Sequence, residues 1–248
     1  MKRTHRARKS DLQAPRRQNF SRELAVLYED QSVVAVSKPP GLLAVPAPGS
    51  DAPSALSLLA DHLANRRQPI FTVHRIDRFA SGVLLFAKTR ADRDTLVRQF
   101  LAHTPVRRYL AVVRGHLPNK QGTLVHHFRK DGMHQRLSSA NDPKAARAEL
   151  MYSVEGSLRG TSLLRIMLDT GLQNQIRVQL AALGHPVVGD RKYSPVEASE
   201  TRIARVALHA EYLQFSHPRT GEPVVVESEP PADFSSLLNS LRLRGGRH

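Results

Sequence analysis

The segment VHRIDRFASGVLLFAK, residues 73–88, places a carboxylate between two arginines at the mouth of an apolar run. The polar cluster His74-Arg75-Ile76-Asp77-Arg78 passes through the small residues Ala80-Ser81-Gly82 into Val83-Leu84-Leu85-Phe86-Ala87, which reads as a buried strand. A carboxylate held against a sheet loses hydration, at a cost of several kcal/mol unless a cation and hydrogen bonds compensate. Asp77 is therefore either a turn or cap residue without chemistry or a charge with a partner elsewhere in the chain. The segment TGLQNQIR offers one. It opens a helix whose N-terminal dipole is positive, with Arg177 one turn in, on the same face as Gln173 and Asn174.

The remaining pattern surrounds that strand with others. LAVLYED and SVVAVSK flank Asp30-Gln31 as a hairpin that ends at Pro39-Pro40-Gly41. Ser54 to Ala64 has helical periodicity, and Thr89 is placed to cap a helix running to about His103. RRYLAVVRG, GTLVHHF, AELMYSVEG and TSLLRIMLDTG supply further strands. QNQIRVQLAALG is a helix closed by Gly184, EYLQFSHP and EPVVVESE form a terminal hairpin, and DFSSLLNSLR a short closing helix. Strands joined by short turns predict an α+β fold with a mixed, largely antiparallel sheet and flanking helices. Residues 1–22 are expected to form a disordered basic arm. Residues 23–234 are read as one domain, and 235–248 as a closing helix and basic tail.

Lys and Arg number 37 against 22 Asp and Glu, a net charge of +15 over 248 residues. Such a balance points to a polyanion such as nucleic acid, or to a basic solubilising surface. The arm has one acid, Asp11, and either tracks phosphates or serves as an organelle transit peptide. With no cysteine, thiolate nucleophiles and thiolate zinc sites are excluded. The twelve histidines form no HExxH pair, and neither GxxxxGK[ST] nor a GxGxxG turn after a strand occurs, so no metal and no cofactor are expected. No apolar run approaches the roughly 20 residues that span a bilayer. The chain is expected to be cytoplasmic, without a membrane partner, and monomeric.

HRIDRFASGVLLFAK closely resembles the HRLDxxTSGVLLxAK signature of the RluA-type pseudouridine synthases. SVVAVSKPPGLLAVPA resembles their KPxG segment, RRYLAVVRG their KxYxAxVxG strand, LDTGLQNQIRVQLAALGHPVVGDRKY their TGRxHQIRxHLxxxGHPxxGDxxY, and ALHAEYLQFSHPRTGEP their closing LHAxxLxFxHPxTGE. The motifs occur in family order from Glu23 to Phe234. The resemblance implies the pseudouridine synthase fold, isomerisation of uridines in structured RNA without a cofactor, and Asp77 as nucleophilic carboxylate. It also implies that Tyr109 stacks on the target uracil, that Arg177 pairs with Asp77, and that Arg75 helps to displace or replace the flipped nucleotide. Candidate RNA contacts are His74, Arg75, Arg78, Arg107, Gln173 and Asn174. Ribosomal RNA is the expected substrate class, with tRNA the alternative.

Three positions depart from the family pattern: Ala80 stands for Thr, Leu172 for Arg and Asn174 for His. The loss of a cation at 172 leaves open a different grip on RNA, or a non-catalytic RNA-binding or ribosome-assembly factor. Retention of Asp77 favours the enzyme, since a pure binder has no use for a carboxylate where phosphates approach. A DNA-binding role lacks any helix-turn-helix or zinc-finger pattern.

Overall fold

Short apolar runs bounded by turns become strands, and the strands join into one sheet. The computed structural model describes residues 24–49, 51–64, 68–132, 134–194 and 202–242. The basic arm expected over residues 1–22 and the end of the tail lie outside them. The first hairpin, β1 (Ala25–Glu29) and β2 (Val33–Lys38), turns through Asp30, whose carboxylate accepts from the amides of Ser32 and Val33. Helix α1 (Ala55–Ala64) follows, then the two-residue strand β3 (Phe71–Thr72), which no sequence pattern announces. The apolar run of the opening motif is β4 (Ser81–Ala87). Thr89 caps α2 (Arg90–Leu101), its hydroxyl accepting from the Asp92 amide.

Five strands come next: β5 (Val106–Arg114), β6 (Gln121–Asp131), β7 (His134–Ser138), β8 (Ala146–Leu158) and β9 (Thr161–Leu168). Strand β7 was not foreseen; it lies at the sheet edge, where one partner suffices and apolar alternation is weak. Helix α3 (Gln175–Ala182) starts two residues later than its pattern suggested, because Asn174 takes a left-handed backbone (φ 55°). Its end has paired bonds, Gly184 N–H to the Ala181 carbonyl and His185 N–H to the Leu180 carbonyl, with Gly184 at φ +85°. The terminal hairpin, β10 (Leu208–Ser216) and β11 (Pro223–Glu227), leads to α4 (Ala232–Arg242). Helix α4 begins before residue 235 and buries Phe234, Leu237 and Leu241 in the same core as Tyr109 and Ile176, so it is continuous with the main body.

The strand order is β1-β2-β4-β10-β5-β9-β8-β6-β7, with β11 also on β10 and β3 on β4. Only β4 and β10 run parallel among these pairs, so the sheet is mixed and largely antiparallel, as the sequence predicts. Strand β4 is buried at every position because both faces are covered. Leu84 and Phe86 pack with Leu59 and Leu63 of α1, while Val83 and Leu85 pack with Leu96 of α2.

Register then assembles the site. Lys38, Gly82, Ala210, Tyr109, Ile166 and Tyr152 form one row across β2, β4, β10, β5, β9 and β8. At the parallel junction Gly82 has φ +111°, and a Cβ there would stand 2.1 Å from the Ala210 carbonyl oxygen. Only glycine fits this close approach. The loop carrying Asp77 thus enters the sheet centre two strands from Tyr109.

Candidate active site

The loop from Asp77 to Ala80 is held by a buried lysine that sequence reasoning missed. Lys38 Nζ donates to the carbonyls of Pro39, Leu42, Arg78 and Ala80 at 2.7–3.1 Å. Burial pushes the Lys38 pKa down to about 7, while these four carbonyls favour the charged form. Gly41 N–H donates to the Arg78 carbonyl, and Arg78 Nε to that of Gly41, so both sides of the turn are tied to the KPPG segment. That segment's lysine was the available signal. Its role depended on a contact across 42 positions.

Asp77 has a half-buried side chain, 21% exposed, and its Oδ2 lies 3.2 Å from Arg177 Nη1. The larger share of Arg177 goes elsewhere. Its Nε and Nη2 donate to Asp190 Oδ2 and Oδ1 at 2.7 and 2.9 Å, and Nη1 also reaches Asn174 Oδ1 at 2.8 Å. Asp190, whose side chain is 1% exposed, is thus the main counter-ion, and Asp77 receives the remaining corner of the fork. Burial disfavours the charge on Arg177, but hydrogen bonds and charge from Asp190, then Asp77, hold its pKa above the ordinary arginine value. Asp190 belongs to the GHPVVGD stretch, which sequence reasoning quoted without assigning the acid a role.

Asn174, at the position where the family has His, fits this network through its left-handed backbone. Its carbonyl accepts from Arg177 and its amide donates to the Tyr193 hydroxyl at 3.2 Å. Leu172 has taken an apolar role, packing with Tyr193 against Phe128, Ala148 and Val178. Ala80 is buried in the main core. Gln175, also buried, ties the start of α3 to the sheet. It accepts from the Thr170 hydroxyl and the Leu172 amide, and donates to the Glu149 carbonyl.

Asp77 opens onto a cleft of about 500 Å³ that Tyr109, His74, Arg75, Arg107 and Asn174 also line. Alternation along β5 turns Arg107 and Tyr109 to the cleft and Arg108 to the opposite face, where it stacks over Tyr212 at 3.7 Å. Burial, opposed by the charge of Arg107 and helped by that of Asp77, pushes the Tyr109 hydroxyl up to about 12, so it stays protonated at neutral pH. Arg107 is buried, with its guanidinium 5.7 Å from the Phe100 ring and, among the described residues, one hydrogen bond, to the Asp169 carbonyl.

His74 is turned inward rather than toward solvent. It stacks on Phe100 with ring centroids 4.6 Å apart, and its Nε2 accepts from the Leu85 amide. Burial, with the nearby Arg107 charge, pushes it down to about 3, so it is neutral and carries no charge toward a phosphate. Arg75 is exposed at the cleft wall, whereas the exposed Arg78 and Gln173 lie outside the cleft lining. Among the described residues no group of three or more His, Asp or Glu is gathered to ligate a metal, and no helix is long and apolar enough to cross a membrane.

The family model for RNA pseudouridylate synthase matches residues 32–182. An uncharacterized RNA pseudouridine synthase of Bacillus subtilis is 35% identical over 231 residues, covering 90% of this chain and 74% of that protein. The ribosomal large subunit pseudouridine synthase D of Zymomonas mobilis is 32% identical over 233 residues, covering 89% and 73% respectively. Its counterpart of the same name in Pseudomonas aeruginosa is 34% identical over 235 residues, covering 89% and 72%. Among solved structures, human RNA Pseudouridylate Synthase Domain Containing 4 shares the fold, with a TM-score of 0.72 at 21% identity over 88% of this chain and 92% of that one. The ordered motifs, the sheet they build and these matches agree that the chain belongs to the RNA pseudouridylate synthase family, isomerases that convert uridine to pseudouridine in RNA.

Proposed function

We propose that this enzyme isomerises uridines of ribosomal RNA in the cytoplasm, acting as a monomer, with Asp77 as its nucleophilic carboxylate. The observation that carries the reading is the half-buried Asp77, paired with Arg177 and open to the same cleft as Tyr109. The volume suits a single nucleotide. A target uridine must leave its stack to enter, and the flat face of Tyr109 offsets part of that cost. Arg177, always charged, keeps Asp77 aimed. Asp77 either adds to the sugar at C1′ or removes a sugar proton. The N1–C1′ bond breaks, the uracil turns, and C5 bonds to C1′. No atom is lost overall and no redox state changes.

Arg75 is exposed at the wall of the cleft, and Arg147, with a 55% exposed side chain, lies along its rim. The charge of Arg75 is available to the backbone beside the flipped uridine, that of Arg147 is shared with Glu149, and the rest of the RNA is gripped by shape and phosphates. Ribosomal RNA as the substrate class rests on relatives named for the ribosomal large subunit.

The test is pseudouridine mapping of total RNA from cells lacking the gene, complemented with wild type or with Asp77→Asn. The expected result is loss of one or a few ribosomal RNA sites, restored by wild type only. Lost sites confined to tRNA would move the substrate class. Restoration by Asp77→Asn would remove Asp77 from the chemistry.

A further inference from the structure

Burying a charged side chain is costly, so each buried cation should have its compensation close at hand. Lys88 has Glu29 at 2.6 Å, Arg205 meets both oxygens of Asp233 at 2.6 and 2.9 Å, and Arg177 meets both oxygens of Asp190. Lys38 is surrounded by four carbonyls. Arg107 breaks the pattern. It is 7% exposed, yet among the described residues no carboxylate lies within ion-pair distance of it, that of Asp169 acts on it only from farther off, and its buried Nε has no hydrogen-bond partner. Its one hydrogen bond runs from Nη2 to the Asp169 carbonyl. Space is kept for it as well, since a Cβ on Gly171 would come within 2.8 Å of Nη1. A buried, under-bonded cation on the wall of a catalytic cleft is suited to a ligand that brings negative charge.

The position decides which part of the nucleotide that is. A phosphate remains at the solvated rim, where the exposed Arg75 and the Glu149-paired Arg147 lie. The part that reaches a wall where Arg107 and Tyr109 are 7% and 8% exposed is the base. We infer that Arg107 is a catalytic residue that donates to a carbonyl oxygen of the uracil and stabilises the negative charge the base carries once the glycosidic bond has broken.

The inference rests on the reading that the uracil stacks on Tyr109. When N1–C1′ breaks, the bonding pair leaves with the base and the charge spreads over N1 and the ring oxygens. The valence at C1′ is filled by an Asp77 oxygen, or by a double bond to C2′ as Asp77 takes the C2′ proton. Re-addition forms the C5–C1′ bond with an electron pair of the base anion, either as the Asp77 oxygen leaves C1′ or as Asp77 returns its proton to C2′, and so restores the sugar. C5 then gives its proton to water, and N1 takes one. A fixed, water-poor donor placed where charge develops favours the broken state over the bound uridine.

The experiment uses total RNA labelled with [5-³H]uridine in cells lacking the gene, so that each isomerisation releases tritium to water. Arg107→Met should lower the single-turnover rate about 10²- to 10³-fold. It should leave the half-saturating RNA concentration within about threefold and the thermal midpoint equal to wild type or higher, because the uncompensated charge is gone. Arg107→Lys, which keeps the charge, should recover part of the rate.

Weakened binding with a salt dependence shallower by about one counterion, and an unchanged rate at saturation, would make Arg107 a phosphate contact and overturn the inference. A lowered thermal midpoint with no recovery in the lysine variant would make it structural and do the same. Wild type releasing no tritium would overturn the activity itself, and this assignment with it.

Discussion

Replacing Arg177 with Met removes a cation that Asp190, Asp77 and Asn174 share. The loss falls unequally. Asp190, 1% exposed, loses bonds of 2.7 and 2.9 Å and, among the described residues, keeps the amides of Lys192 and Tyr193. Asp77, 21% exposed, loses one contact of 3.2 Å and can turn to water. Removing one partner of a buried ion pair costs about 3–5 kcal/mol, so Arg177→Met should destabilise by that amount, nearly all of it through Asp190. In the double-mutant cycle Asp190→Asn should recover about 2–3 kcal/mol, and Asp77→Asn less than about 1 kcal/mol.

The assay is urea unfolding followed by far-ultraviolet circular dichroism, since the chain has no tryptophan, with the slope m checked for constancy. The sign with pH is a second check. Burial raises the Asp190 carboxyl, but hydrogen bonds and charge from Arg177, with two backbone amides, hold it below its ordinary 3.8. That stability is present above the unfolded pKa and is lost as pH falls through the folded one. Without Arg177 only the two amides still oppose burial and the carboxyl rises, so the deficit of the variant should shrink on acidification. A larger coupling with Asp77 than with Asp190, or a deficit independent of pH, would refute the reasoning.

Tyr109→Phe should keep RNA affinity while Tyr109→Ala weakens it by about 1–3 kcal/mol in a mobility-shift titration; equal losses would assign capture to the hydroxyl rather than the ring. Lys38→Met leaves four carbonyls short of a donor and should cost about 3 kcal/mol in the urea midpoint, together with turnover, because the Asp77 loop loses its tether; a variant of wild-type stability would show the tether to be dispensable. His74 and His209 are pushed down by burial to about 3 and about 4. The unfolded chain therefore binds more protons between those values and 6.5, and stability should fall as pH drops through that window. His74→Gln keeps an acceptor for the Leu85 amide and should flatten the slope, as read from urea midpoints at neutral and acid pH.

Much of the fold is legible along the chain because its causes are local. The Thr89 hydroxyl caps its helix on an amide three residues on, Asp30 closes a hairpin on amides two and three residues on, and the closing bonds at Gly184 are as local. The uninterrupted apolar run 83–87 already states that its strand is covered on both faces. Strands β3 and β7 escaped because a two-residue bridge and an edge strand need little apolar pattern to form. Asp77, Tyr109 and Arg177 were legible as residue types in motifs. The pairing of Asp77 with Arg177 was expected too; the larger share that Asp190 takes of Arg177 was not.

By itself, the sequence determined the element order, the sheet class, the absence of any thiol chemistry and the candidates for the site, since periodicity, caps, turns and composition act over a few residues. The tertiary structure decided who pairs with whom. Arg177 meets Asp77 across 100 positions yet spends two of its three donor nitrogens on Asp190, and only the register through Gly82 and Ala210 puts Tyr109 beside the Asp77 loop. It also decided which buried cations lack a close ion pair among the described residues, as at Arg107, and which histidine is neutral, as at His74. Burial and counter-charge depend on everything packed around a group, and distant segments supply most of it.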